Sequence, residues 1–264
     1  VRDLLCGKQP TRPAVFAEDA ALYLARGGGG AGAGWRFVPP AAVPRRPEDV
    51  FVAPWARDAL LRLNPDLTAA PDRADEVIHK LRAIVLSARG EGLVRANERF
   101  TAWLRGELSM PFGPNHEHVT VRLIDYDDLD ANQYVATTQY TFRAGGAERR
   151  ADLVLLVNGF PLVIVEAKTP VRPSVSWFDA ARQIHDDYER YVPELFVPNV
   201  FNVATEGKTL RYGAIGAPVE LWGPWSPVEA AEPANALHSV GEQFQSLLRP
   251  DVVLDMLANF TLFA

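Results

Sequence analysis

The sequence predicts an α/β fold: a central sheet of mixed strands flanked by helices, with added segments at both ends. Three observations lead there. Val77, Leu81, Ile84, Val85 and Ala88 recur at helical spacing. Three strand-sized apolar runs then follow one another across glycine-bearing turns. After them an amphipathic segment over 177–191 leads into a further strand. Helix, three strands, helix, strand is the order of an α/β core, and no internal repeat is present.

Residues 1–54 read as an irregular entry segment, because the tract Gly27-Gly28-Gly29-Gly30 and prolines 39, 40, 44, 47 and 54 interrupt any regular element. Within it, 17–26 has the pattern of one helix. The first clear helix begins at Asp75, where Asp75 and Glu76 suit the positive end of the helix dipole, and stops at Gly90 and Gly92. A second, about 95–105, ends at Gly106. Residues 133–142 hold Tyr134, Val135, Thr137, Thr138, Tyr140 and Phe142, side chains that suit a pleated surface. Gly145-Gly146 turns the chain into the run 153–157, and Asn158-Gly159 turns it again into 162–165. The 177–191 helix carries Trp177, Ala180, Ala181, Ile184, Tyr188 and Tyr191 along one face and ends at Pro193. Strands follow at 200–204 and 210–215, then a Pro- and Trp-rich stretch over 218–233. Helical patterns at 237–248 and 251–260 close the sequence. The organisation expected is an N-terminal segment over 1–54, a core domain over 55–225 and a helical connection over 226–264. The apolar ending, Phe260 to Ala264, suggests a piece of a longer protein.

Bulk properties exclude several classes. With 264 residues and 48% hydrophobic side chains the chain can bury a large core. Its apolar runs are far shorter than the ~20 residues of a membrane span, and Leu4-Leu5-Cys6 is too brief for a signal-peptide core. One cysteine, Cys6, rules out an internal disulfide and a cysteine-based zinc site. A cytoplasmic location fits. A net charge of −6 argues against a nucleic-acid coat protein, but a cleavage site needs only a local positive rim. No Gly-Lys-Ser/Thr follows the glycines of 27–34, so the chain lacks an ATP-binding phosphate loop.

Chemistry concentrates at Asp152 and, fourteen positions later, Glu166-Ala167-Lys168. Side chains alternate along a strand, so Glu166 and Lys168 share a face while Ala167 points away and offers its backbone carbonyl. A strict two-residue Asn158-Gly159 turn would set Asp152 opposite Val165, on the wrong face. Only an odd-length loop or a bulge brings Asp152 opposite Glu166. Two carboxylates and a carbonyl then make a hard oxygen set suited to Mg²⁺, with Lys168 beside the attacking water or the scissile phosphate. An acid-x-Lys at a strand end is also commonly a solvated salt bridge.

Other residues carry weaker signals. Arg149 and Arg150 suit DNA phosphates, or simply a solvated hairpin end. Glu98 is either an extra acidic residue supplied by an earlier helix or a surface side chain. His116 and His118 lack a third ligand and read as a polar loop. Trp222 and Trp225 suit base stacking or, more simply, packing.

The run Arg149 to Pro170, containing Arg-Arg-Ala-Asp152 and Val-Ile-Val-Glu166-Ala-Lys168, resembles the nuclease motif of type I restriction enzyme R subunits, of the PD-(D/E)XK superfamily. Asn132-Gln133, Gln183, the stretch Val192 to Asn199, Ala204 to Lys208, Arg95 to Phe100 and Leu104 to Gly106 share that resemblance, which covers about 50–225. It implies a PD-(D/E)XK core and a Mg²⁺-dependent endonuclease acting on double-stranded DNA. Asp152 and Glu166 would be metal ligands and Lys168 the catalytic lysine. It also implies ATP-driven translocation by a helicase motor elsewhere in the polypeptide, and partner subunits for methylation and specificity. Gln183 matches the glutamine of the family's Q-x-x-x-Y helix motif. Here Asp187 occupies the fourth position and the tyrosine comes one later, as Tyr188. On a regular α-helix that displacement turns it by ~100°. Ala151 replaces the motif's proline. A non-catalytic DNA-clamping or assembly module, and a free-standing repair nuclease of the same fold, are the competing readings.

Overall fold

The computed structural model describes residues 34–169, 174–226 and 236–263. The helix expected over 17–26, the tetraglycine tract and Cys6 lie outside these residues. A six-stranded mixed sheet forms the centre, in the order β1-β4-β5-β6-β7-β8. Its strands are β1 (Arg36–Phe37), β4 (Tyr134–Ala144), β5 (Ala147–Val157), β6 (Phe160–Ala167), β7 (Phe201–Thr205) and β8 (Leu210–Gly213). The short β2 (Ser109–Met110) and β3 (Val119–Thr120) form a separate pair. β4, β5 and β6 run antiparallel to one another, and β7 lies parallel to β6. The parallel step requires a crossover, and the helical stretch after β6 supplies it.

Among the described residues, four α-helices precede the main strands: α1 (Ala53–Leu63), α2 (Pro65–Thr68), α3 (Asp72–Glu91) and α4 (Leu93–Leu104). In α3, Val77, Leu81, Ile84, Val85 and Ala88 form the buried stripe that the spacing predicts, joined by Ala74 and Ile78. Gly92, at φ +95°, ends α3 and opens α4. Phe100 of α4 packs edge-on to Phe160 of β6 and beside Phe51. The middles of β5 and β6 are buried on both faces, Leu153–Val157 and Phe160–Glu166 without interruption. Such continuous apolar strands belong to a sheet covered on both sides.

The sequence pattern left 55–74 without an element, but α1 and α2 occupy most of it. Prolines at the first turns of both helices are compatible with helix starts, and Ala56, Ala59, Leu60 and Leu63 bury one face of α1. Gly159 explains where α1 sits. Its carbonyl accepts the Val52 N–H, and a Cβ at this φ +86° residue would lie 2.7 Å from the Val52 carbonyl oxygen. Only glycine permits this approach.

The proline-bearing stretch before α1 lies along the outer edge of β4. Arg36 and Phe37 pair with Val135 and Ala136, Arg143 donates its backbone N–H to Pro47, and the Tyr140 hydroxyl donates to Val50. Trp35, Val38, Val43, Val50, Phe51 and Val52 are buried in the same hydrophobic cluster as the sheet. The Trp35 indole donates to the carbonyl of Leu248 at 2.6 Å, beside the C-terminal helices α6 (Ala236–Leu247) and α7 (Pro250–Asp255). Trp222 and Trp225 also pack inward: Trp222 is buried against Gly213, and Trp225 meets Tyr212 edge-on and donates to Ser246.

The crossover begins as α5 (Trp177–Arg182), continues as a π-helix over Gln183–Tyr188, and ends with one more helical turn, Glu189–Tyr191. Glu189 fastens its far end. Its buried carboxyl group accepts the Gly216 N–H and the Asn202 side-chain amide of β7. Burial raises its pKa to about 7, against the opposing pull of these bonds and of His185. The folded chain therefore keeps Glu189 protonated to near pH 7, while an unfolded glutamate ionises near 4.5. Stability carried by that proton is complete below about 4.5 and is lost as pH rises through 7. In thermal melts between pH 5 and 8, Glu189→Gln is expected to lose this part of the decline, so that the mutant gains on wild type as pH rises.

Candidate functional site

A single bulge decides whether the two acids can meet. β5 and β6 are joined by a tight turn at Asn158 and Gly159, with Val157 opposite Phe160 and Leu156 opposite Pro161. Continued unchanged, this register would put Asp152 opposite Val165. Between Leu155 and Leu156 the register shifts, so that Leu155 faces Val163 and Leu153 faces Val165, leaving Leu162 as the extra residue. One step further, Asp152 lies opposite Glu166. The turn has two residues, and the bulge supplies the odd residue that the sequence requires.

Asp152 Oδ2 accepts the Ala167 N–H at 3.0 Å, which fixes the carboxylate against the end of β6. Glu166 is 2% exposed, and its Oε2 is buried without a hydrogen-bond partner. Its other oxygen accepts from Lys168 Nζ at 3.2 Å. Burial first, and the Asp152 charge second, push the Glu166 pKa up to about 8, with Lys168 pulling the other way. An orphaned, buried carboxylate oxygen beside a second carboxylate is an electrostatic deficit that a cation would fill. Asp152, Glu166 and the Ala167 carbonyl therefore fit a divalent metal with oxygen preference. Among the described residues no group of three or more His, Cys, Asp or Glu side chains could hold a metal, so such an ion would rest on two carboxylates, backbone and water.

Lys168 also donates to the Gln183 amide oxygen. Gln183 Nε2 donates to the Tyr188 hydroxyl at 2.6 Å, and that hydroxyl donates to the Arg150 carbonyl at 3.1 Å. The chain of bonds runs from Glu166 through Lys168, Gln183 and Tyr188 back to β5. On an α-helix, Tyr188 would have turned away from Gln183. The π-helix over Gln183–Tyr188 instead bonds i to i+5, and this wider turn returns the fifth residue to the face of the first. The expected displacement of Tyr188 is thus corrected by local helix geometry. Burial and the Glu166 charge raise the Tyr188 pKa, so it remains a neutral donor.

The remaining candidates are placed differently. Arg149 forms a two-pronged ion pair with Asp187, at 2.7 and 2.5 Å, and lies over the Tyr191 ring. Arg150 is exposed and, two residues from Asp152 on the strand, projects on the same face. Glu98 is exposed on α4, and no described contact joins it to Asp152, Glu166 or Lys168. His116 and His118 are exposed, with His118 bonded to Ser109. Sequence reasoning missed Gln139, whose amide reaches Asp152 Oδ1 at 3.3 Å. It also missed Arg211, opposite Ala204, which in turn lies beside Glu166, with its guanidinium over Trp177. Neither carries a signal in a single sequence, because each is one polar residue inside a strand-like run.

The profile of the family described as type I restriction enzyme R protein N terminus matches residues 31–219, most of the chain. The chain belongs to this family. An R-protein relative, the type I restriction enzyme HindI endonuclease subunit of Haemophilus influenzae, is 31% identical over 214 residues, 78% of this chain and 20% of that protein. A Methanocaldococcus jannaschii protein, provisionally named type I restriction enzyme MjaIXP endonuclease subunit, is 24% identical over 184 residues, 68% of this chain and 17% of that one. This R-protein region thus spans about a fifth of the length of the curated relatives it matches. Among its described residues no helix is long and apolar enough to cross a membrane.

Two variants test the helix geometry. Tyr188→Phe leaves Gln183 and the Arg150 carbonyl without their shared partner and is expected to lower stability by about 1–2 kcal/mol in urea unfolding. Deleting the exposed Asp186 returns the tyrosine to the fourth position after Gln183, so the π turn relaxes to α. Its thermal midpoint should stay within a few degrees of wild type, whereas a rigid α-helical anchor would lose far more.

Proposed function

We propose that this region is the DNA-cleaving part of a type I restriction enzyme endonuclease subunit, built on a PD-(D/E)XK core and using Mg²⁺ to hydrolyse phosphodiesters of double-stranded DNA. The observation that carries the reading is Asp152 opposed to Glu166 through the Leu162 bulge, with Glu166 Oε2 buried and unpartnered and Lys168 alongside. Family membership supports it, since the relatives are named endonuclease subunits.

Asp152, Glu166 and the Ala167 carbonyl would hold the metal. Bound there, Mg²⁺ would supply a Lewis acid for the phosphate and acidify a water. The chain's own residues do the positioning. The Ala167 N–H keeps the Asp152 carboxylate turned toward Glu166. Gln183 and Glu166 hold the Lys168 ammonium at the edge of the acidic pair, where it can face a phosphate oxygen or the attacking water. Tyr188 keeps Gln183 in place by bridging it to β5. Arg150, exposed on the same strand face, is free to meet the backbone phosphates. Arg149 is engaged by Asp187 and would reach DNA only by leaving that pair.

In this reading ATP hydrolysis and translocation belong to a motor elsewhere in the full-length polypeptide, and sequence recognition and methylation to partner subunits. Plasmid cleavage with Mg²⁺ and ATP by the full-length subunit assembled with those partners tests it. Lys168→Ala is expected to slow cutting by about 10²-fold or more while ATP hydrolysis continues. Cutting at the wild-type rate would remove the nuclease assignment and favour a DNA-clamping or assembly role.

A further inference from the structure

Gln139 sits inside β4 in a conformation that strands avoid. Its φ is +52°, while the flanking pairs, Thr138 with Leu153 and Tyr140 with Ala151, keep one register on either side. The left-handed region is sterically unfavourable for any residue with a Cβ, and is visited mainly by glycine and by asparagine or aspartate. Glutamine has no special tolerance for it. Non-glycine residues held this way persist where the surroundings over-determine them, and they gather at functional sites. Here the register places Gln139 opposite Asp152, just as Asp152 lies opposite Glu166 and Glu166 beside Ala204. The four positions form one row across four strands.

The side chain uses that placement. Gln139 Nε2 donates to Asp152 Oδ1 at 3.3 Å, while the Ala167 N–H donates to Oδ2 at 3.0 Å. Asp152 is thus held at both oxygens, from β4 on one side and β6 on the other. A carboxylate has about four lone-pair sites, so each oxygen keeps one free for another partner. Two donors from opposite strands fix the plane of the group. Partners of this kind, bonded to a ligating group and not to the ion, set its orientation and basicity.

We infer that Gln139 is a positioning residue for Asp152: its strained place in β4 aims the side-chain amide at the carboxylate and so prepares the Asp152–Glu166 pair for a divalent cation. The inference rests on the metal site proposed above and adds a residue to it. If the strain serves the site, removing it should favour the fold and harm the site.

The test is calorimetric titration of the 264-residue chain with Mn²⁺, together with its metal-free thermal midpoint. Gln139→Gly removes both the side chain and the steric penalty. The expected result is a midpoint equal to or above wild type with Mn²⁺ bound about tenfold more weakly, or worse. Unchanged Mn²⁺ affinity overturns the inference, whatever the midpoint does. Should the midpoint fall together with affinity, Gln139→Asn decides, since asparagine tolerates the left-handed backbone but is one methylene too short. Weak binding at a wild-type midpoint supports the positioning role, and wild-type binding overturns it. Asp152→Ala separates the two levels: Mn²⁺ binding that survives this change overturns the metal site itself and, with it, the role of Gln139. Loss of binding in Asp152→Ala with full binding in both Gln139 variants overturns only the latter.

Discussion

Leu162 lets β5 and β6 keep a tight Asn158–Gly159 turn at one end and still set Asp152 against Glu166 at the other. The turn is itself constrained, because Gly159 must admit the backbone at the start of α1 within a distance that no side chain allows. A longer loop would repair the register but would lose that seat. The bulge resolves the conflict inside the strand, where each residue is buried and the slip is paid for by packing on both faces. The site therefore depends on a defect in the ladder that is locked between a close-packed turn and a buried core.

A second irregularity works the same way. The crossover between the parallel strands β6 and β7 must deliver Gln183 to Lys168 and also bring Tyr188 to the Arg150 carbonyl. With five residues from one to the other, an α-helix satisfies one contact and loses the second. The π-helix satisfies both, and places Asp187 where it binds Arg149. Gln139 is a third case, a left-handed residue in a strand opposite the same aspartate. The inverted φ and the π-helix place Gln139 on Asp152 and Gln183 on Lys168, and the bulge sets the register of Asp152 and Glu166 from a few residues away.

This distribution explains what could be read from the sequence. The strands and α3 were legible because β-branched runs, Asn-Gly and Gly-Gly turns and a helical apolar stripe each have a period. The need for a bulge was legible as well, since parity along a strand is arithmetic. Its position was not, because nothing in Leu-Val-Ile-Val marks which residue is extra. Tyr188 was expected on the wrong face because a helix was taken to have one period throughout. α1 was missed because Pro54 and Pro65 punctuate the sequence where they begin helices. The proline-rich stretch before α1 was expected to be irregular, and largely is, yet it buries Trp35, Val38 and Val50. Composition describes its backbone and is silent about its packing. Glu98, considered as an extra acidic residue from an earlier helix, stays on the surface, the simpler of its two readings.

The course of that proline-bearing stretch along β4 has a consequence for how the protein behaves in a crowd. An outer strand with open amide groups is a template on which another molecule's strand can add, and addition of this kind can continue without limit into fibres. Here Arg36, Phe37, the Val38 N–H and the Pro47 carbonyl already occupy parts of β4's outer edge, and proline, with no N–H to give, cannot extend the ladder outward. Along those stretches the strand is covered by a segment that is hardly a strand at all. Copies of the chain can then meet at high concentration without joining edge to edge along those stretches of β4.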